Sequence, residues 1–299
     1  DVRVSTLPSR YGERVTMRLL DTRNALLGLD QLGMDEVTLG RLQSILEQPN
    51  GITLVTGPTG SGKTTTLYSA LSVLNNGERN VMTLEDPIEY GIDGISQTQM
   101  HHKVGLTFAA TLRAILRHDP DVVMVGEVRD LETAKVAFEF ASTGRPVLST
   151  VHTNSAAGAI QRLRDMGIEP YVIAATLKAV IAQRLVRRLC EHCRVPHDST
   201  PEELAMFGLD AASAPQFWRP AGCMACSNSG YNGRLGVYEL IIVDGALRDL
   251  IRADGSEDAI QDIALSRYDT LFRNAGRYVQ TGQTSVEEVL RVCRREEER

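Results

Sequence analysis

Gly57-Pro58-Thr59-Gly60-Ser61-Gly62-Lys63-Thr64 limits what this chain can fold into more than any other stretch. It fits G-x-x-x-x-G-K-[ST], follows the apolar run Ile52 to Thr56 and opens a segment of helical character. Glycines let several backbone N–H groups turn inward, and the helix that follows adds the positive end of its dipole, so the loop becomes a cradle for phosphates. Lys63 adds a full charge toward the β- and γ-phosphates, and Thr64 offers a hydroxyl to a bridging magnesium ion. The nucleotide-binding set runs from Gly57 through Thr65. A bland Gly-rich turn before a helix would not need the whole pattern.

The surroundings agree with that loop. Short apolar runs at Ile52 to Thr56, Val81 to Leu84, Val122 to Val125 and Val147 to Val151 alternate with helical segments starting near Lys63, Phe108, Leu131 and Ala156. A further apolar helix is predicted from Val172 to Leu185. This alternation predicts an α/β fold, a doubly wound parallel sheet covered by helices. Upstream, Val2 and Val4, then Val15, Met17 and Leu19, alternate as two strands around a reversal at Pro8, Ser9 and Gly12. Because such a pair is not a domain and the chain starts with Asp1, residues 1–21 read as the remnant of an N-terminal α+β domain, followed by a linker at 22–33. The core is expected at 34–189, a cysteine-bearing segment at 190–231 and a mostly helical C-terminal subdomain at 232–299, with a strand at Leu235 to Val243.

Charge and hydropathy remove other classes. With 32 Lys plus Arg against 38 Asp plus Glu, the net charge of −6 offers no global field for nucleic acid. No apolar run approaches the roughly 18 residues of a membrane span, and no secretory leader is visible.

In a doubly wound sheet, ligands sit outside the carboxyl ends of the strands. Three strands end there in chemistry: Glu85, Asp86 and Glu89; Gly126, Glu127 and Arg129; and His152 after Ser149-Thr150-Val151. A hydrolytic site needs a carboxylate for water and a hold on magnesium. Glu127 is the choice for water activation and Glu85 for magnesium-linked support, with the roles open to exchange, because Gly126 stands where many phosphate-loop enzymes carry Asp. Capping of the next helices is the plain alternative for both acids, and a structural role is the alternative for His152 as γ-phosphate sensor.

Of five cysteines, four form two knuckles, Cys190-x-x-Cys193 and Cys223-x-x-Cys226. Two such pairs in a chain without a leader point to one closed tetrahedral zinc site, structural because no open ligand position remains. Few apolar anchors besides Leu204, Phe207 and Trp218 would otherwise hold that segment. Cys293 is expected to be a packed residue, and His192 and His197 bystanders.

Taken together, the phosphate loop, Thr83-Leu84-Glu85-Asp86-Pro87-Ile88-Glu89-Tyr90, Arg113 to Asp121, Gly126-Glu127-Val128-Arg129-Asp130 and Ser149 to Asn154 resemble the type II secretion and type IV pilus assembly ATPase superfamily, the GspE-like secretion ATPases. The resemblance covers nearly the whole chain. It implies a RecA-like core, a Mg-dependent ATP hydrolase, a homo-oligomer of hexameric type, a place in the cytoplasm at the inner membrane, and inner-membrane platform proteins as partners. By the same resemblance Arg3 and Arg18 reach the γ-phosphate from the N-terminal strands between adjacent subunits, with Arg113 and Arg117 as secondary candidates. The tetracysteine motif favours a secretion or extension motor over a retraction motor. One departure stands out: Gly144-Arg145-Pro146 replaces the family's Gly-His-Leu.

Pseudopilus assembly for secretion is therefore the expected function, with pilus extension as the alternative. A nucleic-acid translocase using Arg184, Arg187 and Arg188 is weakened by the acidic total, and the same cluster could instead face anionic lipid. A scaffold that binds ATP without turnover is the third reading.

Overall fold

The computed structural model describes residues 2–19, 27–210 and 215–293. The side chains of Arg3 and Arg18, residues 22–26 of the expected linker and the tail 294–299 lie outside the described residues.

The chain opens with a hairpin, β1 (Val2–Ser9) and β2 (Gly12–Leu19), whose register sets Val4 opposite Met17 and Arg3 opposite Arg18. Then come α1 (Glu36–Leu46), β3 (Gly51–Thr56), α2 (Lys63–Leu74), β4 (Val81–Glu85), β5 (Ser96–Gln99) and α3 (Phe108–Ile115). β6 (Val122–Val125), α4 (Leu131–Ser142), β7 (Pro146–Val151), α5 (Ala156–Asp165), α6 (Pro170–Thr176) and β8 (Leu177–Leu189) follow. The last third holds β9 (Val195–His197), α7 (Pro201–Met206), β10 (Phe217–Arg219), β11 (Tyr231–Ile242), α8 (Gly245–Arg252), α9 (Glu257–Leu265), α10 (Leu271–Gln280) and α11 (Val286–Val292).

Seven strands make the main sheet in the order β11-β8-β3-β7-β6-β4-β5. All neighbours run parallel except β8 and β11, so the four strands expected from apolar runs pair side by side with the phosphate-loop strand near the middle. The central strands β3, β6 and β7 are buried on both sides because helices cover both faces. On one face Val55, Val122, Met124, Ala179 and Ile181 pack with α1 and α2 through Leu42, Ile45, Leu67, Tyr68 and Leu71. On the other, Ile52, Leu54, Val123, Val125, Val180 and Ala182 pack with α3 to α6.

Two expectations need correction. The apolar run from Val172 to Leu185 is not one helix: α6 ends at Thr176 and β8 begins at Leu177. A run without a polar side has no period to separate buried helix from buried strand. Here β3 and β11, flanking β8 on either side, supply the backbone partners that decide it. Nor is 232–299 simply a helical appendage: β11 completes the main sheet, and Leu247, Ile251, Phe272, Ala275 and Val279 join the core of the parallel strands.

Candidate functional site

β3 delivers the chain to the loop at the carboxyl edge of the sheet. Gly57 has φ +149°, and a Cβ there would run into the Gln183 carbonyl on β8 and meet Ser61 Oγ at 2.6 Å. Gly62, at φ +89°, is the residue before α2, and a Cβ would lie 2.8 Å from Gln183 Nε2. Gln183 is itself fixed by Thr66 on α2, whose hydroxyl donates to Oε1 at 2.8 Å. The glycines are thus required by the close approach of β8 as well as by their backbone angles.

Lys63 reaches back across the loop, with Nζ donating to the carbonyls of Gly57 at 2.8 Å and Pro58 at 3.1 Å. Burial lowers its pKa from the ordinary value; Glu127 opposes that shift and Arg184 adds to it. Ser61 Oγ is buried with no hydrogen-bond partner. Two cations side by side and a buried orphan hydroxyl in a ring of glycines fit a polyphosphate, which supplies the missing negative charge and acceptors. Thr64 is exposed in the first turn, open to a metal on that phosphate.

Glu127, just past β6, is flanked by two side chains: Arg129 Nη2 at 2.7 Å from Oε2 and His152 Nε2 at 3.0 Å from Oε1. The next turns explain why the segments sit there. Asp130 caps α4 through Thr133 N–H at 2.8 Å, and Ser155 caps α5 through Gly158 N–H at 3.0 Å. The loop carrying His152 is latched to the end of β3: the Thr56 and Thr153 hydroxyls are 2.7 Å apart, and Thr153 N–H donates to Thr56 Oγ1 at 2.9 Å. Lys63, Glu127 and His152 therefore gather at one edge, as their positions after successive strands required.

Glu85 is placed differently. At 3% exposure it lies under α2, hydrogen-bonded by Tyr68, by Thr83 Oγ1 at 2.6 Å and by Gln97 Nε2 at 3.1 Å. The glycine at 126 has a steric cause, since a Cβ there would come within 3.0 Å of the Leu84 carbonyl and 3.5 Å of Glu85 Cα. Arg113 and Arg117 do not join the loop within one chain. Arg113 pairs with Glu132 on α4 at 2.8 Å, and Arg117 follows α3, beside His118, whose carbonyl is bonded by Asn80 ahead of β4, at the amino edge of the strands.

Arg184 is the residue that sequence reading places wrongly. The sequence groups it with Arg187 and Arg188 as one basic surface, yet the three have separate partners. Arg184 is half-buried by the phosphate loop, donating to the carbonyls of Asn154 at 2.7 Å and Gln183 at 3.0 Å, and burial lowers its pKa. Arg187 is bound to Glu288 at 2.7 Å, and Arg188 to Glu191 at 2.7 Å. Reading β8 as a strand would have flagged Arg184, because it follows directly on the strand's parallel pairing with β3.

The four cysteines converge. The Sγ atoms of Cys190 and Cys223 are 3.9 Å apart, Cys193 and Cys226 3.8 Å, and Cys223 and Cys226 3.7 Å. All four lie within 4.8 Å of one another. A regular tetrahedron of thiolates at Zn–S of about 2.3 Å has edges of about 3.8 Å, so the donor set and its spacing fit one such ion. Burial raises the pKa of both Cys193 and Cys226; at Cys226 N–H donation from Cys223 and Gly230 outweighs it and brings the value down to about 6, while Cys193 is pushed up to about 11 beside its neighbouring thiols. Phe207 anchors the segment by stacking on Phe272 at 5.3 Å. Cys293 is buried at 3% exposure, and His197 pairs with Glu203 at 2.8 Å, both away from the tetrad.

Comparison with known proteins gives a consistent picture. The sequence matches the family described as "Type II/IV secretion system protein" over residues 1–291. It is 53% identical over 294 residues to "Type II secretion system protein E" of Aeromonas hydrophila, covering 98% of this chain and 59% of that protein. It is 50% identical to "Type II secretion system ATPase E" of Vibrio cholerae, covering 98% and 58%. The chain thus spans about three fifths of the length of these relatives. Among solved structures, the pilus retraction motor PilT with bound ADP aligns with a TM-score of 0.72 and 27% identity, over 100% of this chain and 75% of that one. The Legionella pneumophila ATPase DotB aligns at 0.70 and 22% identity, over 97% and 71%, and shares the fold. With the sheet, the phosphate loop and these matches in agreement, the chain belongs to the Type II/IV secretion system protein family.

Proposed function

We propose that this chain is the ATP-hydrolysing motor portion of a type II secretion ATPase. The observation that carries the reading is the assembly of Lys63, Glu127 and His152 at the mouth of a glycine cradle backed by Gln183. Residues Gly57 to Thr65 hold the triphosphate, and Lys63 turns from the loop carbonyls to the phosphate oxygens. Glu127 orients a water and takes its proton as the water oxygen bonds the γ-phosphorus and the bond to the bridging oxygen breaks. His152 and Arg129 keep the Glu127 carboxylate in place. A magnesium ion held at Thr64 would supply charge neutralisation between the β- and γ-phosphates.

The names of the relatives favour secretion over pilus extension. A ring of identical subunits, hexameric by resemblance, would let Arg3 and Arg18 of one subunit complete the site of the next, with Arg113 on α3 and Arg117 just after it as secondary candidates. The cysteine tetrad would hold zinc. The motor would act in the cytoplasm against platform proteins of the inner membrane; no helix among the described residues is long and apolar enough to cross it.

Phosphate release tests the reading. Lys63→Ala and Glu127→Gln should each lower turnover by about 100-fold or more. Glu127→Gln should still bind a non-hydrolysable ATP analogue. Near-parental turnover of Lys63→Ala refutes the assignment, and equal negligible rates in parent and both variants point to a nucleotide-binding scaffold.

A further inference from the structure

Tyr68 is fully buried on α2, little more than one helical turn beyond Lys63. Its hydroxyl donates to Glu85 Oε2 and accepts from Glu89 N–H at 3.4 Å. The other carboxylate oxygen accepts from Thr83 Oγ1 and Gln97 Nε2. Gln97, on β5, also organises the chain beyond Glu85: its Oε1 accepts from Ile92 N–H at 2.7 Å, and its Nε2 donates to the Tyr90 carbonyl at 3.1 Å. The Tyr90 ring stands edge-on to Tyr68 at 4.6 Å.

Among the described residues no Lys, Arg or His lies within ion-pair distance of Glu85. Titratable neighbours facing it are Tyr68 from α2, with Tyr90 and Glu89 from the following loop. A buried carboxylate served only by neutral donors depends on each of them, since losing one leaves an acceptor without water or partner. The end of β4 matters beyond itself, because Gly126, next to Glu127, donates its N–H to the Leu84 carbonyl at 2.7 Å.

We propose that Tyr68 is a positioning residue for hydrolysis that acts through Glu85. The hydroxyl, carried on the helix that grips the phosphates, fixes the carboxylate at the end of β4 and, with Gln97, the loop of residues 86–95. Where the loop helix sits thus sets where the Glu127 strand ends. Burial raises the Tyr68 pKa, with Glu85 adding to the shift, so the phenol keeps the proton it donates. The inference rests on the ATPase reading above.

Its test is a double-mutant cycle on steady-state phosphate release, with binding of a non-hydrolysable ATP analogue measured alongside. Tyr68→Phe keeps the ring and removes one hydrogen bond to a buried carboxyl group, leaving an acceptor without a partner, so kcat should fall about 10- to 100-fold. Analogue affinity should stay within about twofold. In the Glu85→Ala background, adding Tyr68→Phe should cost less than about twofold, because the first change has already removed the acceptor. Parental kcat in Tyr68→Phe, or losses that multiply in the double variant, overturn the proposal. Where Tyr68→Phe does not fold, Gln97→Ala must show the same kcat-selective loss, and parental kcat there overturns it equally. Lys63→Ala separates the two claims: turnover retained in that variant removes the ATPase reading, whereas an inactive Lys63→Ala beside a fully active Tyr68→Phe removes only the role of Tyr68.

Discussion

At Gly57 the backbone angle and the neighbour forbid a side chain together. φ of +149° strains any L residue, and the Gln183 carbonyl occupies the place of a Cβ. Gly57→Ala should push the loop off β8 and weaken binding of a fluorescent ATP analogue by at least about tenfold, equivalent to the 1–3 kcal/mol of such strain. Unchanged affinity would show that the loop can move without loss. Residue-level chemistry was the most legible part of this chain, since the phosphate loop announces itself by residue type at fixed spacing. So do Glu127 and His152, whose place after apolar strands puts them at the same edge. The place of Glu85 was not legible: its surroundings come from Tyr68 and Gln97, on an adjacent helix and strand whose approach no local pattern encodes.

Among elements, β8 carried the chief misreading, and its true shape explains how α11 is held. As a strand, β8 presents Arg187 to Glu288, whose fully buried carboxylate also binds Arg291. Burial alone would raise the Glu288 pKa, but the hydrogen bonds from Arg291 and Arg187 outweigh it and hold it at about 2, against the usual 4.5. Its folded value is the lower one, so its stabilisation is complete above about pH 4.5 and is lost as pH falls toward 2. Glu288→Ala should therefore destabilise the chain by about 3 kcal/mol at pH 7. In chemical denaturation the gap from the parent should close between those two pH values, and a gap constant with pH would show that packing, not the ion pair, holds α11. Helices such as α4 and α5 were easier to read because Asp130 and Ser155 mark their starts.

For the whole molecule, the cysteine tetrad lies between the sheet and the C-terminal helices, where the proposed zinc would fasten one to the other. Cys190 follows β8 directly, Arg194 beside it lies over Trp218 at 4.7 Å and donates to the Gly282 carbonyl between α10 and α11, and Phe207 stacks on α10. Cys190→Ser with Cys223→Ser should abolish zinc, measured as one ion per chain in the parent, and make residues 190–230 sensitive to limited proteolysis. ATP-analogue binding should change far less, because the tetrad starts past the end of β8, beyond the Gln183 that backs the loop. Parental zinc content or protease resistance would count against a metal fastening. The spacing of the cysteines was readable; the union of the last third with the sheet was not, because an antiparallel partner 42 residues or more along the chain from the end of β8 leaves no local signature in β8.

That union has a practical corollary. β11 covers the outer rim of β8 along ten paired positions, from Arg187 opposite Arg234 to Ala179 opposite Ile242 and including Tyr231 with Leu189. A shortened version stopping at the first cysteine would uncover a long, greasy ribbon of unsatisfied amides and carbonyls, the kind of template on which chains stick to one another. Any shortened version must for this reason run past Ile242, however complete its phosphate loop is without that ending.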